Sequence, residues 1–298
     1  MKNKIELVYH KGKNFGDAIN PMVLTHYFNK SILDKSEDVK LIGIGTLLGL
    51  KKMPNKKIVF SSGASKGNES TYGEVPTIDD SYDIFCVRGP LTAKLLNLAP
   101  DYAVCDGAYL LNDMYNFNVV KKHKISFMPH HKSEDMFNGL KTIIESLNIN
   151  YISPASSIDL VLSELASSEL VVTEAMHGAI VADAFRIPWI PIKTYPFIDD
   201  FKWNDFTSSM KIKEFNFNYF PYIHSKHFFY ELINRKLKLK PLAKIGSAFI
   251  YHYRLNLYKK KLLKVIKYSK PYLSEDDWLK SKIEELKNCI TRLNAKYF

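Results

Sequence analysis

The sequence predicts an α/β fold made of two successive units, each with a parallel sheet. Three observations carry that expectation. Short apolar, β-branched runs alternate with helical patterns, most runs end in small or polar residues, and the alternation stops in a polar Asn- and Lys-rich stretch at 113–124 and then restarts. In doubly wound sheets the loops leaving the strands' carboxyl ends form the ligand cleft, so the punctuating residues are the first candidates for function.

In the amino-terminal unit, residues 5–9 read as a strand and 11–17, Lys-Gly-Lys-Asn-Phe-Gly-Asp, as the loop leaving it. Residues 18–28 read as a helix despite Pro21 near its start, where a missing N–H is tolerated. Strands follow at 40–44, running into Gly45-Thr46, at 57–61, running into Ser62-Gly63-Ala64-Ser65, and at 82–87. A helix is expected over 90–98 and a strand over 102–104, ending at Cys105-Asp106-Gly107. The second unit opens with a strand at 124–128, the loop Pro129-His130-His131-Lys132, a helix over 135–147 and a strand at 150–152. Ser156 or Ser157 caps a helix whose apolar positions Ile158, Val161, Leu162 and Leu165 share one face.

The run 170–173 is the strand that matters most, because Glu174-Ala-Met-His177 follows it and Gly178 opens a helical pattern ending near Pro188. His177 is therefore expected at a strand's carboxyl end. The next helix offers unpaired N–H groups and partial positive charge to an anion there. An imidazole in that place either donates a proton or merely satisfies a loop carbonyl.

Composition narrows the function. The 298 residues, 46% hydrophobic and 13% aromatic, suffice for two cores. Cys86, Cys105 and Cys289 are few, odd in number and without CxxC spacing, which argues against a disulfide framework and a zinc site and suits a reducing cytoplasm. Glu6 interrupts the apolar amino-terminal segment and no small-residue cleavage site follows, so no signal peptide is expected. No run approaches the ~20 apolar residues of a membrane-spanning helix. Gly43-Ile-Gly-Thr-Leu-Leu-Gly49 superficially resembles a dinucleotide fingerprint, but its last Gly falls one residue late. No P-loop, HExxH or G-x-S-x-G elbow occurs, so dehydrogenase and metallohydrolase chemistry is not expected, and no metal or cofactor is implied.

The net charge of +11 is concentrated. From 235 to 270 there are twelve Lys or Arg and no Asp or Glu, interleaved with residues such as Ile245, Phe249, Tyr253 and Leu263. Such a stretch lies along an anionic membrane surface, each basic residue contributing about 1 kcal/mol, or forms a solvated helical face. No nucleic-acid motif accompanies it, so no nucleic-acid partner is expected. Trp278, Leu279, Ile283, Leu286 and Ile290 give residues 275–298 the spacing of an amphipathic helix that packs on the body or on a second copy.

Seven segments carry a resemblance: Asn14-Phe-Gly-Asp17, Gly43-Ile-Gly-Thr46, Val87-Arg-Gly-Pro90, Cys105-Asp-Gly107, Met128-Pro-His130, Glu174-Ala-Met-His-Gly178 and Phe201-Lys-Trp-Asn-Asp205. In that order they resemble the polysaccharide pyruvyl transferase family, over roughly residues 1–210. The resemblance implies two Rossmann-like domains facing across a cleft in a GT-B-like fold, 1–118 on the acceptor side and 119–210 on the donor side. Residues 211–298 fall outside the resemblance and read from their composition as a basic, aromatic-rich helical extension able to contact a membrane surface. It implies transfer of the enolpyruvyl carbons of phosphoenolpyruvate to a sugar hydroxyl pair as a pyruvate ketal, on a capsule, exopolysaccharide or wall-polymer precursor. Phosphoenolpyruvate is then the donor substrate, a lipid-linked or polymeric saccharide the acceptor, and the inner face of the plasma membrane the place of work. A nucleotide-sugar glycosyltransferase of GT-B type and a non-catalytic membrane-associated scaffold fit the same features.

Under that resemblance Arg88 offers a guanidinium fork for carboxylate or phosphate, unless it forms an ion pair elsewhere. His177 is the candidate acid, since an imidazole titrates close to neutral pH. Asp17 takes a proton from an acceptor hydroxyl or caps a helix. Asn14 and Gly16 let the first loop approach a ligand, and Asp106 holds sugar hydroxyls or closes a turn with Gly107. His130 carries the same two readings, whereas His131 is expected to be exposed. Glu174, Met176 and Gly178 flank His177 as binding residues. Many family members carry an Arg where this chain has Ala175. Arg186, Lys193 or Lys202 would replace it, with Lys202 favoured by its place in the Phe201–Asp205 segment.

Overall fold

Short runs, fully buried at the centre and partly exposed at the edges, build two parallel sheets, as expected for strands covered by helices. The first comprises β1 (Glu6–Val8), β2 (Val39–Ile42), β3 (Lys56–Ser62) and β4 (Tyr82–Val87), in that spatial order. Helix α1 (Phe15–Tyr27) follows β1, and α2 (Pro90–Leu95) follows β4 with Pro90 in its first turn. The short α3 (Leu111–Met114) closes this part. The computed structural model describes residues 4–12, 14–28, 38–49, 56–65, 74–115, 119–137, 139–224, 226–237 and 240–298. Lys13 of the first loop, 116–118 of the polar stretch, 138 of the helix expected over 135–147, and 238–239 of the basic stretch lie outside the described residues.

The second sheet contains β5 (Ser126–Met128), β6 (Asn150–Tyr151), β7 (Val171–Thr173), β8 (Trp189–Lys193) and β9 (Asn218–Tyr219), ordered β6-β5-β7-β8-β9 and parallel throughout. Its helices are α4 (His131–Met136), α5 (Leu140–Glu145), α6 (Ile158–Ala166), α7 (Met176–Ala184) and α8 (Asp200–Ser209). Then come α9 (Lys226–Leu237), α10 (Lys240–Tyr268) and α11 (Asp276–Tyr297).

Three expectations are corrected. The run 102–104 is not a strand. Pro100 fixes a turn there, leaving one isolated parallel bridge between Ala103 and Val87. The helix expected over 135–147 is two helices. It starts early because His130 Nδ1 accepts the Lys132 N–H at 3.3 Å, and it breaks beside Gly139, a poor helix former. Helix α7 begins at Met176, so His177 sits inside its first turn and Gly178 within the helix. A Cβ at Gly178 would lie 2.7 Å from Thr173 Oγ1 and 2.8 Å from Met128 Sδ, so only glycine lets α7 approach the sheet this closely.

The basic carboxyl third is tied into both cores. Leu255, Tyr258, Leu262 and Val265 of α10 pack with Phe127, Val172 and Ile190 of the second sheet. Leu279, Ile283, Leu286, Cys289 and Leu293 of α11 pack in the same cluster as Phe28, Phe60 and Phe85 of the first unit. The helix expected over 275–298 therefore packs on the body, and it completes the amino-terminal core. Among the described residues, no helix is long and apolar enough to cross a membrane.

Candidate active site

One cleft of about 130 Å³ gathers most of the residues singled out by sequence. The first sheet's side contributes Asn14, Gly16, Asp17 and Thr46. The second contributes His130, Glu174, Met176 and His177, and α8 contributes Lys202. The cleft volume is below the roughly 300–1,000 Å³ typical of sites for drug-sized ligands.

His177 lies where the halves meet. Its Nδ1 edge presses on Gly16, where a Cβ would lie 1.9 Å from that nitrogen, so only glycine leaves room for the ring. Its Nε2 faces Asp106 Oδ2 at 3.6 Å. Asp106 itself is fully buried and absent from the cleft wall, and its Oδ1 accepts the Ala108 N–H at 3.0 Å to open a short 3-10 turn. It closes the turn with Gly107 that the sequence offered as one of its two roles, and its carboxylate lies behind the cleft wall. Asn14 donates to Asp17 Oδ2 at 2.6 Å, and Asp17 sits buried in the first turn of α1 rather than at its N-cap. A carboxylate there is favoured by the helix dipole.

The three cations considered for the place of the Arg absent at Ala175 differ in where they lie. Arg186 pairs with Asp276 at 2.7 Å and Lys193 with Asp200 at 2.6 Å, both away from the cleft, whereas Lys202 lines it. Asp199 caps α8, accepting the Phe201 and Lys202 N–H groups at 2.8 and 3.4 Å, and receives the Ser65 hydroxyl at 2.5 Å. That cap aims the start of α8 at the cleft. Burial pushes the Lys202 ammonium down to about 8, with Asp199 and Asp17 holding it up and Arg88 and Lys132 pressing it further down.

Lys132 is a second cleft cation, its ammonium 5.7 Å from the Phe197 ring centre. Burial, followed by His131, Lys132 and Lys202, drives His130 well below the usual imidazole range, so it is neutral near pH 7. His131, expected to be exposed, is half-buried in the same wall, its ring 4.3 Å from that of His130. Glu174 is buried, and burial raises its carboxyl above the usual range. It accepts the His130 N–H at 3.2 Å. Lys132, Phe197 and Asp199 escaped the sequence reading, although Lys132 lies in the strand-end loop that already drew attention to His130.

Arg88 departs most from expectation. Its side chain is fully buried and lies outside the cleft wall. Nε donates to Asp205 Oδ2 at 3.0 Å, Nη1 to Thr46 Oγ1 at 3.0 Å and Nη2 to the Ala64 carbonyl at 3.3 Å. Asp205 takes two further hydrogen bonds, from the Thr92 N–H at 2.9 Å and its hydroxyl at 2.6 Å. Each guanidinium nitrogen donates to the protein, tying α8 to the first sheet, and of these partners Thr46 lines the cleft. Gly178, also expected to bind ligand, is likewise behind the wall, under α7.

The sequence profile of the polysaccharide pyruvyl transferase family matches residues 12–195, from the first loop through β8. Over 205 residues the chain is 36% identical to the succinoglycan biosynthesis protein ExoV of Rhizobium meliloti (strain 1021), a match covering 67% of this chain and 62% of that relative. The chain thus spans less than two thirds of the relative's length. A solved structure of the wall teichoic acid polymerase TagF overlays on 97% of this chain and 89% of its own at 12% identity and a TM-score of 0.36, too loosely to bear on the fold.

Proposed function

The chain belongs to the polysaccharide pyruvyl transferase family, and we propose that it moves the enolpyruvyl carbons of phosphoenolpyruvate onto a hydroxyl pair of a saccharide, forming a pyruvate ketal. The acceptor would be a precursor of a capsule, exopolysaccharide or wall polymer. The observation that carries this reading is the cleft itself, where the α7 amino terminus, His177, Lys132 and Lys202 face one small cavity. A three-carbon molecule bearing a carboxylate and a phosphate needs such a set of donors. Lys202 takes the place of the Arg that Ala175 lacks.

In the proposed reaction the donor's anionic groups rest against the α7 amino terminus and the two lysines. His177 delivers a proton to the methylene carbon, giving an oxocarbenium-like centre that the first sugar hydroxyl attacks. The bond to the phosphate oxygen breaks, and the second hydroxyl closes the ring. Each hydroxyl gives up one proton. One restores His177, and the other leaves with phosphate by way of Asp17.

We read the two parallel sheets as Rossmann-like domains facing across this cleft in a GT-B-like manner, with the acceptor held by the first and the donor by the second. The work would be done at the inner face of the plasma membrane on a lipid-linked saccharide. Ile245, Phe249 and Tyr253 of α10, spaced four residues apart, are 69, 72 and 57% exposed, and Lys260, Lys264 and Lys267 continue along the side opposite the buried Tyr258 and Leu262. Apolar side chains followed by lysines, with no acidic residue from 235 to 270, suit an anionic bilayer surface. The buried free thiols of Cys86, Cys105 and Cys289 suit a reducing compartment.

A donor screen tests the proposal. Purified protein with phosphoenolpyruvate and an acceptor saccharide should release phosphate in step with a pyruvate-sized mass gain on the sugar. No release, together with nucleotide diphosphate release from a nucleotide sugar, would overturn it in favour of glycosyl transfer.

A further inference from the structure

We propose that Asp106 is a positioning residue that holds His177 in the tautomer with its proton on Nε2, leaving Nδ1 as the nitrogen that works at the cleft. The proposal rests on the reading of His177 as the proton donor and adds what orients it.

The two groups come from different halves of the fold, Asp106 from the turn beyond β4 and His177 from the first turn of α7. His177 Nε2 and Asp106 Oδ2 are buried, lie 3.6 Å apart, and neither has another hydrogen-bond partner among the described residues. Buried polar atoms are nearly always partnered, so two orphans facing each other are best explained as partners of one another. The separation is slightly longer than a hydrogen bond, as catalytic contacts often are before substrate tightens the site.

Asp106 is well placed to direct the ring. Its Oδ1 is committed to the Ala108 N–H, which fixes the carboxylate plane, and the side chain is fully buried, so it does not touch the substrate itself. A carboxylate accepts and does not donate. It therefore favours the imidazole form with hydrogen on Nε2, and it stabilises the imidazolium whenever Nδ1 also carries a proton. Nδ1 lies on the side of the ring against Gly16, and both residues line the cleft. Proton delivery then runs from Nδ1.

The test uses the full chain labelled with nitrogen-15 in histidine, with the His177 signals assigned by their loss in His177→Gln. Neutral His177 should give the nitrogen shifts of the Nε2–H form. In Asp106→Asn the amide can donate to Nε2, and the population should move to the Nδ1–H form. In a phosphate-release assay kcat should fall about 100-fold or more, with KM for phosphoenolpyruvate within about threefold, because Asp106 is outside the cleft wall. If Asp106→Asn folds poorly, Asp106→Ser keeps an acceptor for Ala108 and should show the same loss of the Nε2–H preference. An unchanged tautomer in either folded variant overturns the proposal. A wild-type chain that does not turn over phosphoenolpyruvate overturns the proposed function instead, and the nitrogen shifts still decide the role of Asp106.

Discussion

Arg88 and Asp205 form an ion pair with no solvent exposure on either side chain, Nε to Oδ2 at 3.0 Å, between the end of β4 and helix α8. The pair joins the first sheet to the helix that carries Lys202 and so helps to build the frame of the cleft. Arg88→Ala leaves a buried carboxylate facing two Thr92 donors and no cation. That should cost about 3–5 kcal/mol of stability. Thermal melts should show the loss, and the double change Arg88→Met with Asp205→Leu should recover part of it. An Arg88→Ala protein that melts normally yet binds phosphoenolpyruvate poorly would return the guanidinium to the ligand.

Lys202 should set the alkaline limit of donor binding. Its ammonium titrates near 8 because burial disfavours the charge, so it is cationic below that pH and loses its charge as pH rises through it. kcat/KM for phosphoenolpyruvate should therefore fall on the alkaline side with an apparent pKa of about 8. Lys202→Arg, always charged, should move that limb beyond the measurable range, whereas Lys202→Gln should lower kcat/KM roughly 10- to 100-fold at neutral pH.

Glu174 predicts a stability effect of definite sign. Burial raises its carboxyl in the folded protein, so the folded state penalises the ionised form, and the penalty grows as pH rises above the unfolded value. Glu174→Gln, which keeps an acceptor for the His130 N–H, should melt higher than the parent at neutral pH. The difference should vanish as pH falls below the unfolded carboxyl range. Paired melts across that range check the sign.

The exposed side of α10 should govern vesicle binding. Sedimentation with vesicles rich in phosphatidylserine should retain the protein, and added salt should weaken the attachment. Phe249→Asp or the pair Lys260→Glu and Lys264→Glu should release it while leaving phosphate release on a soluble acceptor intact. Equal retention by uncharged vesicles would point away from the lysines.

The alternation of strands and helices was legible because each buried run is short, β-branched and followed by small residues. His177, Asp17 and Lys202 were legible because they sit in the first turns of helices, in the segments that follow strands. Arg88 was not, since a strand-end arginine reads the same whether it meets a ligand or an aspartate 117 residues later. The approach of Asp106 to His177 was hidden likewise, because the two are 71 positions apart and His177 lies on α7 of the other half. Strand β8 was masked by Pro191, a residue that argues against a central strand. Pairings across the cleft leave no local periodicity, so they became visible only when both halves were in place.

Helix α11 supplies Leu286 and Leu293 to the hydrophobic cluster that also holds Phe60 of β3, although the ribosome joins them more than two hundred residues apart. The earliest-made sheet consequently waits with an open seam until residues 276–297 have been synthesised. During translation that seam is where chaperones would bind.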